Sequence, residues 1–435
     1  MSEPIIGVAG IFLFLFLICL RVPIAYAMAI VGAAGFALLV SPSAALSMLA
    51  TEVYSNFSSY SLSMIPMFIW MGFLAYYSAI GSKLYRFAYC FIGHRPGGLA
   101  IATQVACAIF GAVCGSNTAT AATMGAIALP EMKKYRYDDS LSTASVAAGG
   151  ALGILIPPSV IFIVYGVATG QSVGKLFVAG VVPGILLMLF YIIAIWVVVL
   201  KRRDLAPAGE RASWAEKLDS LRNGVLEVLV VFIISLGGLF AGWFTPAEAG
   251  AVGCAGILLI TMIRRQITLE GFWKSLRDTT RTTAMIMFMV TGAMVFGRFM
   301  AVTRLPFELA GWVSGLNLHP LLIMLFILFI YLVLGCFIDA LALILLTLPI
   351  FYPVVANVLK FDPIWFGVII AMVVAIGVIT PPVGMNVFIV KGIAENVSVE
   401  TVFKGVWPFL LAAIACVLLL IVFPQIVTFL PNVLY

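Results

Sequence analysis

The chain has 435 residues, of which 63% are hydrophobic and only 10% charged, whereas soluble domains carry about 45–50% apolar and about 25% charged residues. At a mean hydropathy of +1.18 the apolar surface exceeds what a core can hide, so lipid must be the solvent for most of the chain. This excludes a soluble enzyme or binding module. A transmembrane β-barrel is excluded too, because it needs polar lumen residues alternating with apolar ones, and the net charge of +6 is spread over segments flanking apolar runs, unlike a nucleic-acid-binding face.

The chain reads as a polytopic α-helical membrane protein. Apolar runs predict spans near 4–20, 23–40, 64–80, 140–166, 176–200, 223–243, 246–263, 282–300, 363–390 and 405–430. The N-terminal run has neither a basic n-region nor a small-residue cleavage site, so it is expected to be a retained helix rather than a signal peptide. Segments 82–93 and 266–280 are amphipathic and basic, and are expected to lie along the membrane interface. The stretches 97–130 and 320–352 are too short for two full spans of about 20 residues each. Both are broken centrally by small or polar residues, so each is expected to be a re-entrant hairpin. Irregular backbone at membrane depth survives only where protein or a water-filled cavity covers it.

Positive charge gives an orientation. Lys201, Arg202, Arg203, Arg211, Lys217 and Arg222 mark 201–222, and Arg264, Arg265, Lys274, Arg277 and Arg281 mark 264–281, as cytoplasmic. Counting outward places both ends of the first hairpin inside, both ends of the second outside, and both termini in the periplasm.

The two halves echo each other. Gly153-Ile-Leu-Ile-Pro157-Pro158 and Gly377-Val-Ile-Thr-Pro381-Pro382 share a G-x-x-x-P-P register. Pro23 precedes Pro157 by 134 residues and Pro246 precedes Pro381 by 135, while Gly180–Pro183 matches Gly405–Pro408 downstream. His94-Arg-Pro96 and His319-Pro320 stand at the two hairpin entrances. Such collinear matches predict a duplication, with residues 1–200 as a first inverted repeat, 201–222 as a cytoplasmic linker and 223–435 as the second repeat. The first repeat would hold hairpin 97–130 and broken helix 140–166, the second hairpin 320–352 and broken helix 363–390. Inverted repeats with helices broken at matching positions point to a secondary transporter with its site near the bilayer midplane.

The chemistry follows from the breaks. Each double proline removes two backbone donors and pushes the preceding residue out of helical geometry. Carbonyls of Gly153, Ile156, Gly377 and Thr380 are thereby expected to lose helical partners and to suit a cation such as Na⁺. The first hairpin's centre, CGSNTATAAT, supplies Ser116, Asn117, Thr118 and Thr120; the second supplies Gly335 and the intramembrane carboxylate Asp339. Arg298, near the outer end of its span, either meets an anionic substrate or snorkels. The seven cysteines include no CxxC pair, so neither a disulfide nor a cysteine-held metal is expected. No GxxxxGK[ST] motif for ATP is present, and no nucleophile–base pair suggests an enzyme.

On the segments RVPIAYAM, MIPMFIWMGFL, FGAVCGSNTATAATMGAIALPEM, AAGGALGILIPPSVIFIVYG, GCFIDALALILLTLPIFYPV and GVITPPVGMNVFIVKGIA, essentially the whole chain resembles the large membrane subunit of tripartite ATP-independent periplasmic (TRAP) transporters. The resemblance implies an elevator-type transporter of the bacterial inner membrane. It would import a small organic anion, such as a C4-dicarboxylate or sialic acid, driven by Na⁺. Its implied partners are a periplasmic substrate-binding protein and a separate small four-helix membrane subunit. One Na⁺ site would involve Ser116, Asn117 and Thr118 with Gly153, Ile156 and Pro157. A second would involve Gly335 with Gly377, Thr380 and Val383. Substrate would lie between the hairpin tips near Thr120, Asp339, Asn386 and Arg298. Cys114 stands where the family commonly has serine, which leaves only a backbone oxygen as a ligand there. A stand-alone anion carrier of the same architecture, needing no binding protein, is the alternative.

Overall fold

The computed structural model describes residues 2–315, 318–394 and 396–435, and every regular element among them is helical. Glu3–Cys19 (α1), Ile24–Leu39 (α2), Pro42–Phe57 (α3), Met64–Tyr76 (α4) and Ile80–Ile92 (α5) open the chain. Gly98–Cys114 (α6) and Asn117–Lys134 (α7) pack against each other, followed by Asp139–Leu155 (α8), Val160–Thr169 (α9) and Val173–Lys201 (α10). Trp214–Ser220 (α11), Leu226–Phe232 (α12) and Gly238–Phe240 (α13) alternate with π-helical turns at Leu221–Val225 and Ile233–Gly237. Pro246–Ile263 (α14), Leu269–Val302 (α15), Leu305–Gly315 (α16), Pro320–Gly335 (α17), Ala340–Pro353 (α18), Pro363–Gly377 (α19), Met385–Ile393 (α20), Val399–Val422 (α21) and Gln425–Leu434 (α22) complete it. Among the described residues, 6 helices are long and apolar enough to cross a membrane, or up to 8 if each bent pair counts as one span.

Most predicted elements have a counterpart, and the departures have physical causes. Helix α3 falls where no span is predicted, because Thr51, Glu52, Ser55 and Asn56 dilute its apolar character. These polar groups are satisfied locally: Thr51 donates to Ser47 O at 2.8 Å and Asn56 Nδ2 to Glu52 O at 2.9 Å. The predicted interface helix 266–280 and span 282–300 are one continuous 34-residue helix, α15, N-capped by Thr268. Its charged first turns disguised the continuity. The predicted span 405–430 divides into α21 and α22 at Pro424, which cannot extend the helical hydrogen bonding. Helix α16 was not predicted, and the linker 201–222 contains α11.

Small residues set the packing distances. Helix α2 lies along α15, and a Cβ on Gly32 would stand 2.8 Å from the Phe296 backbone nitrogen. Gly10 and Gly35 leave the space that the Phe299 ring fills. Close backbone approach through glycine is how helices associate without a hydrophobic driving force. The two helices preceding the double prolines are the most enclosed: Leu141 to Leu155 of α8 and Trp365 to Gly377 of α19 are all buried. Helix α8 is wrapped by α6, α7, α10, α19, α20 and α21. The first break, Pro157 to Ser159, is therefore buried in the protein interior, whereas Pro381, Pro382 and Val383 of the second are exposed. The Pro157–Pro158 and Pro381–Pro382 peptide bonds are both cis.

Candidate functional site at the helix breaks

Helix α8 stops at Leu155 because Ile156 is extended (φ −79°, ψ 124°) and Pro157 and Pro158 offer no N–H. The i+4 donors of the Gly153 and Ile154 carbonyls are thus missing. The Ser159 hydroxyl replaces one by donating to Ile154 O. Gly153 carries its carbonyl into the break without a helical donor.

The α6–α7 turn rests on this break. Gly115 is left-handed (φ 61°), and a Cβ there would run into Pro158 O. A Cβ on Gly153 would come within 2.7 Å of Ser116 O and 2.8 Å of Thr120 Oγ1. Glycine at both positions is the condition for contact between turn and break. Ser116 caps α7 by accepting from Ala119 N, and its Oγ lies 3.0 Å from Thr118 Oγ1.

The second break is built differently. Thr380 N donates to Gly377 O at 3.0 Å, and Asn386 N donates to Val378 O at 3.0 Å. The Thr380 hydroxyl turns back to Ile376 O at 2.7 Å. The expectation that Gly377 O loses its partner is therefore met only for the i+4 bond; an i+3 bond takes its place. Gly335, ending α17, packs directly on Gly377, whose Cβ would meet Gly335 C at 2.7 Å and O at 2.8 Å. Val383 is more than a third exposed.

A cavity of about 670 Å³ lies beside the turns. Ser116, Asn117 and Thr118 from the start of α7 line it, as do Asp339, Ala340 and Leu341 from the start of α18. Val160 and Ile161 at the start of α9 line it too, so three helix N-termini meet at the cavity, each with the partial positive charge of unpaired N–H groups. The α18 terminus is capped internally, since Asp339 Oδ1 accepts from Leu341 N at 3.0 Å. The α7 terminus is capped by a neutral hydroxyl. Phe73, Tyr76 and Tyr77 around the end of α4, and Asp278, Thr282, Met285 and Met289 along one face of α15, also line it. The Tyr77 hydroxyl donates to Asp278 Oδ2.

Of the four residues expected near substrate, only Asp339 lines this cavity. Thr120 is fully buried, donating to Ser116 O at 2.7 Å and lying 3.0 Å from Cys114 Sγ. Asn386 is fully buried and bridges elements: it accepts from Asn117 Nδ2 at 3.1 Å and donates to Ala147 O at 3.1 Å. Arg298 pairs with Glu52 (Nε to Oε1, 2.7 Å), a carboxylate buried on α3. Sequence reasoning missed the Tyr77–Asp278 wall. A usable signal existed: Asp278, Thr282, Met285 and Met289 recur at i, i+4, i+7 and i+11, one helical face.

Comparison with known proteins bears on this geometry. The family model described as "Tripartite ATP-independent periplasmic transporter, DctM component" matches residues 11–426. The C4-dicarboxylate TRAP transporter large permease protein of Pseudomonas aeruginosa is 37% identical, covering 91% of this chain and 90% of its own. The sialic acid TRAP transporter large permease protein of Vibrio cholerae is 33% identical over 98% of both chains. The ectoine/5-hydroxyectoine TRAP transporter large permease protein of Ruegeria pomeroyi is 32% identical over 92% of this chain and 93% of its own. In fold, the crystal structure of the YdaH transporter of Alcanivorax borkumensis superposes with a TM-score of 0.54 at 13% identity, covering 88% of this chain and 89% of that one. The chain belongs to the TRAP transporter family, as its DctM-type large permease component.

Proposed function

We propose that this permease imports a small organic carboxylate by Na⁺ symport across the bacterial inner membrane. A periplasmic binding protein would deliver the substrate, and a small membrane subunit would brace the permease. The observation carrying this reading is the seat of the Gly115–Ser116 turn on the α8 break, where the Gly153 carbonyl lacks its helical donor. Carbonyl dipoles bind Na⁺ without the cost of burying another full charge. In this reading Ser116, Asn117 and Thr118 with Gly153, Ile156 and Pro157 hold one Na⁺. Gly335, Gly377, Thr380 and Val383 hold a second. The substrate carboxylate lies at the α7 N-terminus, where N–H groups and hydroxyls favour an anion.

The relation between the halves is read as an inverted repeat, with both termini periplasmic. The helices bearing the two turns and the two breaks move together as an elevator against a scaffold built around α2, α4, α14 and α15. Support for a small membrane subunit comes from a relative in Oleidesulfovibrio alaskensis named as an isethionate TRAP transporter permease protein DctMQ. It covers 87% of this chain, while the match spans only 59% of that longer protein.

The test is reconstitution of the chain with its small subunit and binding protein in proteoliposomes. Uptake of a labelled carboxylate should require an inward Na⁺ gradient. Equal uptake in K⁺, or uptake undiminished without the binding protein, would contradict this reading, and the second result would favour a stand-alone carrier.

A further inference from the structure

The charges lining the cavity are one-sided. Among its lining residues, Asp278 and Asp339 are acidic and none is lysine, arginine or histidine. An organic dianion would place two carboxylates in a space whose lining offers no cationic side chain. The two carboxylates are held differently. Asp339 is tied to the α18 N-terminus, where its Oδ1 accepts from Leu341 N. Asp278 is the first of the α15 residues that line the cavity. The partner shown for it is the Tyr77 hydroxyl, and none of the ion pairs among the described residues engages it. The Tyr77 hydroxyl brings no counter-charge to Asp278.

Aromatic rings surround it. Tyr76 and Tyr77 meet edge to face with centroids 4.9 Å apart, and Phe73 stacks on Tyr77 at 6.5 Å. A carboxylate set among aromatic faces is the environment that favours alkylated or primary ammonium groups over neutral ones. It disfavours a second carboxylate by like-charge repulsion. The α7 N-terminus, capped by neutral Ser116, and the start of α9, preceded by Ser159, are helix starts at the cavity not already occupied by their own carboxylate. The cavity thus offers helix N-termini for an anionic group and the Asp278 wall for a cationic nitrogen.

We propose that the wall formed by Asp278, Tyr77, Tyr76 and Phe73 receives a positively charged nitrogen, so that the substrate is a zwitterion: a small carboxylate bearing an ammonium or quaternary ammonium group. This rests on the reading above that the substrate carboxylate docks at the α7 N-terminus, and it narrows the substrate class.

The test uses the chain purified with its small subunit, its thermal stability being followed in NaCl and in KCl. The probes are three zwitterions of graded length (glycine betaine, γ-butyrobetaine and β-alanine), 3,3-dimethylbutanoate as the uncharged-carbon isostere of glycine betaine, and succinate. At least one zwitterion should stabilise the complex in NaCl at concentrations about tenfold below those needed for the isostere or succinate. Asp278→Asn should erase that advantage without weakening the isostere. Phe73→Leu, which removes a ring and leaves the carboxylate, should reduce it in part. Succinate or the isostere binding as tightly as the zwitterions, or the advantage surviving Asp278→Asn, would overturn the assignment. Na⁺-dependent stabilisation by succinate with none by any zwitterion would remove this inference and leave the Na⁺–carboxylate reading standing. Absence of Na⁺-dependent stabilisation by any of the carboxylates would remove both.

Discussion

Asn117 and Asn386 lie 269 residues apart and share one buried hydrogen bond, in which the Asn117 amide donates to Asn386 Oδ1 at 3.1 Å. The Asn386 amide donates onward to Ala147 O at 3.1 Å. The start of α7, the start of α20 and the middle of α8 are thereby joined by one chain of amides. The second break thus touches the first hairpin turn directly. Removing one member leaves buried polar atoms unpaired, at about 1–3 kcal/mol each. Asn386→Ala should lower thermal stability by about that much. The Asn117→Ala/Asn386→Ala double variant should fall short of the sum by about 0.5–3 kcal/mol. Additive losses in a denaturation cycle would show that the amides do not act as a unit.

Gly153 is the contact between turn and break. Gly153→Ala places a methyl 2.7 Å from Ser116 O, so the turn must shift or the helix deform, at about 1–3 kcal/mol. A lowered melting temperature together with weakened Na⁺ binding is expected. Gly311→Ala, inside α16 with nothing within 4 Å of its Cβ, is the control: it should leave Na⁺ binding unchanged and should not lower the melting temperature.

Arg298 and Glu52 test a different point. The Arg298 side chain is 65% exposed while that of Glu52 is only 10% exposed, so the carboxylate has more to lose. Arg298→Met strands a buried charge and should destabilise by about 1–3 kcal/mol. Glu52→Gln leaves an exposed cation that water can solvate and should cost less. If both cost the same, measured by thermal unfolding, the burial asymmetry is not what matters.

Much of this site was legible in sequence, and its limits are instructive. The double prolines forecast the breaks, and the small and polar residues of CGSNTATAAT the turn, because lost donors and broken apolar runs are properties of local sequence. Thr120 and Asn386 were expected near substrate because they supply oxygens in the right segments. Their side chains instead satisfy Ser116 O and Ala147 O, a choice made by packing that no spacing encodes. Asp278 was overlooked for the opposite reason: Lys274, Arg277 and Arg281 around it gave the first turns of α15 the look of a separate surface helix. The Tyr77–Asp278 pair joins residues 201 apart, beyond any local pattern.

The linker gives a pH prediction. At the start of α11, Ser213 N donates to Glu216 at 2.7 Å and the Ser213 hydroxyl at 2.9 Å, closing a capping box. These bonds hold the Glu216 carboxyl below its ordinary value of 4.5. A depressed folded pKa means that the cap's contribution is fully present above about pH 4.5 and is lost as pH falls through the lower folded value. Amide exchange over 213–220 should therefore quicken, after correction for intrinsic rates, only below about pH 4.5. Glu216→Gln should flatten that dependence.

The central claim is that a backbone freed by proline binds Na⁺, and one measurement tests it most directly. The purified chain with its small subunit is unfolded thermally in NaCl, KCl, LiCl and choline chloride at equal ionic strength, beside Pro157→Ala. Alanine restores an N–H that can close on Gly153 O, whereas Gly377 O already accepts from Thr380 N, which makes Pro157 the cleaner position. A Na⁺-selective rise in stability, about 2.7 kcal/mol at 100 times the Kd, that largely vanishes in Pro157→Ala is the predicted result. Indifference to the cation, or full Na⁺ stabilisation of Pro157→Ala, would contradict it.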